Sequence, residues 1–373
     1  MITVLAAALL ATAPQQQNDP TVRLLAELLN ANAAPGFEGP VRDILRREWK
    51  PLLKELHTDG IGNLIGTAPG EGGPRVLLMA HMDEVGFLVR HIDERGFVYM
   101  NAVGGWLDQS VLTQRFTIMT SKGPLIGYTG MKSGHIVSAE EKAKVVPLQD
   151  MFLDIGAKSR AEAEAMGVRP GLPITYRTEL EILNGTSRML ARAWDDRVGL
   201  AIITQTLQQL KSHPNTLLVA ATVQEEIGLR GAQTVYPGTR PDIVINLEIG
   251  VAGDFPLLTS PKLSQEELGK GPSIFVFDGS MVPSNNYVEW TIKLAREAGI
   301  PIQFESVTGF GEDGAALQKS GEGVPALNIG IPTRYAHSQS GVIDRADYDN
   351  ALKLVKLMVQ KLSLQEVRSI REL

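Results

Sequence analysis

Apolar positions recur at helical spacing from Val22 onward (VRLLAELLNANAAPGFEGPVRDILRREW). Asp19-Pro20 forms a cap and first-turn pair and Pro35-Gly36 a break, which predicts two amphipathic helices at the start of the fold. The pattern then changes to short continuous apolar runs bounded by Gly and Pro: residues 76–80 (VLLMA), 217–223 (LLVAATV), 243–247 (IVINL), 274–277 (IFVF) and 326–331 (ALNIGI). Runs of this length suit strands buried on both faces. Helical patterns lie between several of them, at 196–211 (DRVGLAIITQTLQQLK), 287–298, 315–320 and 348–362. The alternation predicts an α/β fold, a mostly parallel central sheet with helices on both faces. Residues 86–186 interrupt it with Gly-rich, short alternating segments (GFLVRHIDERGFVYMNAVGG, TQRFTIMTSKGPLIGYTG, PGLPITYRTELEIL). We therefore expect a small β-rich domain at 86–186, inserted into an α/β domain made of residues 19–85 and 187–373.

Composition narrows the chemistry. The 373 residues, 43% hydrophobic and 21% charged, are enough for one large core and a smaller one. The net charge is −6 with Lys and Arg scattered, so no basic stripe exists for a phosphate backbone and nucleic acid is not an expected partner. The absence of Cys removes disulfides, zinc fingers and thiol nucleophiles, so any metal must be held by His, Asp or Glu. The apolar stretch 2–13 (ITVLAAALLATA) is shorter than the roughly 20 residues that span a bilayer. It has the length of a signal-peptide core and ends in ATA but lacks a basic leader, so residues 1–18 read as a signal-like or disordered segment. The first reading implies an exported or periplasmic protein, the second a cytoplasmic one.

In an open parallel sheet, ligands bind beyond the carboxyl ends of the strands. Here VLLMA runs into His81-Met82-Asp83-Glu84, LLVAATV into Gln224-Glu225-Glu226, IVINL into Glu248, and ALNIGIPTRYA into His337-Ser338. Asp195-Asp196 stands just before a predicted helix, where its carboxylates meet the helix N-terminus. Two His and several carboxylates at one sheet edge form an oxygen and nitrogen donor set suited to a pair of divalent ions such as zinc, cobalt or manganese. Such a pair needs a bridging carboxylate, which Asp-Asp can supply, and it activates a shared water while polarising the carbonyl to be attacked. Asp83 is spaced to accept the second imidazole N–H of His81. Of Glu225 and Glu226, whose side chains diverge at a strand end, one can ligate while the other stays free as a base.

The set AHMDEVGF, RAWDDRVG, VQEEIGLRGA, NLEIGVAGDFP and PTRYAHS, with GYTGMKSGH and FLDIGAKSRAEA in the inserted region, resembles family forty-two of the metallopeptidases. These are the dinuclear, tetrahedral-type aminopeptidases, some bearing the names endoglucanase or cellulase. The resemblance runs from about Val22 to the C-terminus. It implies His81, Asp195 and Glu248 on one metal and Asp195, Glu226 and His337 on the other, with Asp195 bridging. It also implies Glu225 as general base and Asp83 as the support of His81. The activity implied is removal of N-terminal residues from peptides by a homo-oligomer, from a dimer up to a tetrahedral dodecamer assembled through the inserted region. Two positions depart from the pattern: Glu248 stands where many relatives have Asp, and Glu312 in GFGEDG where relatives often have Thr.

Rival readings are a deacylase or carboxypeptidase on a similar dinuclear site, and glycoside hydrolysis by two carboxyls without metal. The last has no use for His at strand ends. The loop GFGEDG formally matches GxGxxG, but its two carboxylates would repel a pyrophosphate, so we expect a tight loop beside the active site. Ser338 lacks the G-x-S-x-G context of a serine nucleophile. His57, His91, His135 and His213 lack a strand-end setting, and the acidic pairs Glu140-Glu141 and Glu266-Glu267 are expected on solvated faces.

Overall fold

Asp19 accepts the Thr21 N–H at 2.7 Å, and with Pro20 in the first turn the helix Pro20–Asn30 begins where the sequence places it. The structure is a computed structural model and describes residues 19–68, 70–258 and 264–372; the apolar stretch 2–13 lies outside them. A second amphipathic helix, Gly39–Trp49, buries Val41, Leu45 and Trp49, and the Trp49 indole N–H donates to Thr204 Oγ1 at 2.9 Å.

The chain then lays down β1 (Glu55–Thr58), β2 (Leu64–Ala68) and β3 (Arg75–His81). It departs into a closed antiparallel barrel of β4 (Gly86–Ile92), β5 (Val98–Val103), β6 (Arg115–Thr120), β7 (Gly123–Thr129), β8 (Phe152–Asp154) and β9 (Pro173–Tyr176). The barrel has its own core, in which Phe87 stacks on Trp106 with ring centroids 5.0 Å apart and meets Phe116 edge-on. After it come β10 (Glu181–Ile182), β11 (Arg188–Ala191), β12 (Thr216–Thr222), β13 (Ile243–Val251), β14 (Ser273–Phe277), β15 (Gln303–Ser306), β16 (Ala326–Thr333) and β17 (Gly341–Asp344).

The main sheet has eight strands in the order β1-β2-β12-β3-β13-β16-β14-β15. Its centre, β12-β3-β13-β16, is parallel, and these strands are buried almost throughout, as the continuous apolar runs require. Helix Trp194–Gln209 packs against β3 and β13 and is buried over most of its length. The expected α/β architecture with a separate small β unit is what forms.

Several local features differ from the expectation. The hairpin β1-β2 carries no alternation to announce it, since β1 is mostly exposed. Helix Ala232–Thr239, which carries Pro237 in its last turn, lies outside the helical patterns read from the sequence. Glu266, expected on a solvated face, is 1% exposed: the Ala252–Glu266 bridge draws its backbone against the end of β13. Gly250 leaves the room, since a Cβ there would lie 2.0 Å from the Glu266 carboxylate. Among the described residues no helix is long and apolar enough to cross a membrane.

Candidate metal centre

Four adjacent parallel strands end at one sheet edge, and each brings a polar residue there. β3 delivers His81 as its last residue; β12 leads through Gln224, at φ +55°, into Glu225 and Glu226; His337 lies in the turn after β16. Glu248 sits within β13 and not after it, because that strand continues to Val251. Asp195 opens helix Trp194–Gln209 above the same edge, and its peptide bond to Asp196 is cis.

All the anticipated donors converge. His81 Nε2 lies 2.7 Å from Asp195 Oδ1 and 3.8 Å from Glu248 Oε2. His337 Nε2 lies 3.2 Å from Asp195 Oδ2 and 3.5 Å from Glu226 Oε2. Asp195 therefore offers one oxygen to each imidazole. Donor atoms of His81, Asp195 and Glu226 fall within 4.8 Å of one another, as do those of His81, Asp196 and Glu248. The neighbouring Asp196 has its oxygens engaged by the backbone, Oδ1 accepting Gly199 N–H at 3.0 Å and Oδ2 accepting His81 N–H at 3.3 Å. A Cβ at position 199 would come within 2.6 Å of that carboxylate, which is the physical content of the DDRVG spacing.

The far ring nitrogens are fixed by carbonyls: His81 Nδ1 is 3.0 Å from Asp83 O and His337 Nδ1 is 3.1 Å from Gly105 O. A carbonyl only accepts, so in each neutral imidazole the proton sits on Nδ1 and the Nε2 lone pair faces the cluster. The Asp83 carboxylate serves the backbone as well as the imidazole. It stands 3.6 Å from His81 Nδ1, while its Oδ1 and Oδ2 accept the Glu225 and Glu226 N–H groups at 3.0 and 3.2 Å. Those amides leave β12 without ladder partners, and the carboxylate satisfies both. A further anchor went unread in the sequence: buried Glu84 accepts from Ala33 N–H and pairs with Arg192 and Arg197, tying the His81 loop to the first helix. His91 stacks on Tyr99, and none of His57, His91, His135 and His213 joins either donor group.

Electrostatically the cluster is unsatisfied by protein alone. Burial pushes the carboxyls of Glu225 and Glu248 up and that of Glu226 to about 8, each reinforced by its acidic neighbours. Burial opposes protonation of both imidazoles, yet the surrounding carboxylates raise them, His337 to about 9. Burial also opposes ionisation of Asp195, but the two imidazoles hold its carboxyl below the usual range. Glu248 Oε2 is buried with no hydrogen-bond partner. Surplus buried carboxylate with an orphaned oxygen, facing two oriented imidazoles, fits divalent cations held by oxygen and nitrogen donors.

A cavity of about 800 Å³ opens over the cluster, lined by Asp195, Glu225, Glu226, Glu248 and His337. The loop Gly309-Phe310-Gly311-Glu312 forms part of its wall, as expected of a tight loop beside the site, and Gly105, Leu107 and Ser110 reach in from the segment after β5. That contribution from the inserted region had no signal in the sequence.

The sequence model of the M42 glutamyl aminopeptidase family matches residues 62–354. The chain is 37% identical to the TET aminopeptidase from the marine sediment archaeon Thaumarchaeota archaeon SCGC AB-539-E09. That structure superposes with a TM-score of 0.90 over 94% of this chain and 100% of the other. It is 31% identical to the lysyl aminopeptidase of Pyrococcus furiosus over 91% of this chain and 96% of that protein. The Pyrococcus horikoshii TET1 peptidase, which can assemble into a tetrahedron or a large octahedral shell, is 31% identical, with a TM-score of 0.83 over 92% of this chain and 100% of that one. Likeness of this extent takes in the barrel as well as the sheet, and with a divalent-metal donor set at the sheet edge it makes the chain a member of the M42 glutamyl aminopeptidase family, a metal-dependent aminopeptidase.

Proposed function

We propose that this protein removes N-terminal residues from peptides with two divalent ions, of zinc, cobalt or manganese. His81, Asp195 and Glu248 would hold one, and Asp195, Glu226 and His337 the other. The observation that carries this reading is Asp195 presenting one oxygen to each of two imidazoles whose far nitrogens are fixed by carbonyls. When bound, such ions make water more acidic and polarise the carbonyl of the bond to be cut. Glu225, outside both donor groups but lining the same cavity, takes the proton of the attacking water and returns it to the leaving amine. Asp83 holds Glu225 in place through the backbone. Amino-acid anilides and a soluble β-glucan, each with and without chelator, test the reading. Chelator-sensitive release from anilides is expected; cleavage of the glucan, or of N-acylated substrates alone, would overturn it in favour of a glycosidase or a deacylase.

We further propose that residues 86–186 act as an oligomerisation domain, yielding a dimer or a tetrahedral dodecamer. The support is a run of exposed apolar side chains on β7 and the segment after it, Ile126, Tyr128, Met131, Ile136 and Val145, together with the likeness to assembling relatives. Light scattering should give a multiple of the 40.4 kDa subunit, and Asp at positions 126 and 136 should reduce it. A native mass of one subunit for the unaltered chain would remove this proposal.

A further inference from the structure

We propose that Glu312 makes this enzyme select peptides with a basic N-terminal residue, by receiving the cationic end of a lysyl or arginyl side chain. The inference rests on the aminopeptidase reading and adds the substrate class.

Glu312 is 3% exposed and lines the cavity over the metal centre. Its Oε2 accepts from Asn328 Nδ2, while its Oε1 is buried with no partner. Although it immediately precedes helix Asp313–Gln318, its side chain does not cap that helix. It forms no ion pair and belongs to neither donor group of the metal centre. The free oxygen thus has no structural employment among the described residues, and an unpaired buried acceptor is costly to keep.

The surroundings say what it would accept. Leu229, Ile249, Val251, Phe255 and Phe310 give the cavity an apolar wall that fits a long aliphatic stem. No Lys or Arg is among the described lining residues, so an acidic side chain would find no counter-charge there. Divalent ions would offset the carboxylates that hold them and leave Glu312 uncompensated. Burial and the neighbouring Asp278 push its carboxyl up, so an arriving cation is what favours its ionised form. The α-amine of the peptide must lie beside the bond being cut, next to Glu225 and the metal donors. The group that reaches Glu312 is therefore the side chain.

Lysyl and norleucyl anilides share a stem and differ by the ammonium, so their ratio of kcat/KM isolates the charge. In the metal-loaded native enzyme we expect lysyl to exceed norleucyl, and glutamyl to be poorest. E312Q should lower the lysyl-to-norleucyl ratio by about tenfold or more, the scale of one lost charge-assisted contact, and E312D should retain part of it. Calorimetric binding of free L-lysine and L-norleucine gives a readout without turnover: the preference for lysine should shrink by a similar factor in E312Q. A ratio unchanged by E312Q in kinetics or in binding overturns the proposal. Failure of the native enzyme to cleave any anilide would instead count against the aminopeptidase reading, and the binding ratio would still decide the role of Glu312.

Discussion

E225Q should lower kcat by about 10²–10⁴-fold while leaving both metals and the fold in place, and E226Q should lose a metal. The two carboxylates are adjacent and both lie in the turn that Asp83 pins through their amides. Only their side chains separate their roles: Glu226 Oε2 stands 3.5 Å from His337 Nε2 and within the His81-Asp195-Glu226 donor group, while Glu225 belongs to no such group. A glutamine at 225 keeps the shape and removes the titratable oxygen that a base requires. A glutamine at 226 removes the charge that holds an ion, and excess divalent metal should partly restore turnover. Metal analysis of the purified variants beside their kinetics decides the matter. If E225Q is the variant that loses metal while E226Q keeps both ions, the assignments are reversed.

Stripping divalent ions should abolish peptide hydrolysis and destabilise the fold, and adding zinc, cobalt or manganese should restore both. The pH dependence of the stripped protein gives the argument a sign. Glu226 is raised from 4.5 to about 8 and His337 from 6.5 to about 9, so both bind more protons folded than unfolded. Their stabilising share is complete below the unfolded pKa values and is lost as pH rises through the folded ones. The stripped protein should accordingly melt several degrees lower at pH 9 than at pH 6, a gap that metal loading narrows. Calorimetric scans at the two pH values, with and without metal, check this. Full activity in a rigorously metal-free preparation, or a stripped protein that melts higher at pH 9, would contradict it.

Burial on both faces is what makes the central sheet legible: a strand covered above and below is apolar at most positions, and the polar residues that end such runs stand out. His81, Glu225, Glu226 and His337 stand out in this way, and the Asp195-Asp196 pair by its place before a helix, while only the family resemblance picks Asp195 from that pair. Atomic roles were not written at that level. Asp83 meets the His81 ring with its carbonyl as well as its carboxylate, which also takes the Glu225 and Glu226 amides, a division that depends on which way the chain turns after β3. Glu266 carries the same residue type as a surface acid and is buried through its bridge to Ala252, in room left by Gly250. Short edge strands such as β1 and β10 gain their structure from a partner strand and leave little trace of their own.

The Gly105 carbonyl that orients His337 bears on how freely this chain can be recombined. Insertions are often treated as modules, exchangeable between homologues wherever the two junctions match. Here Gly105, from the segment after β5, sets the aim of an imidazole in the centre, and Leu107 and Ser110 help to shape the cavity. A chimera carrying another relative's barrel would fold around its own core and yet inherit that relative's alignment of His337, so the natural unit of exchange is the barrel together with the turn after β16.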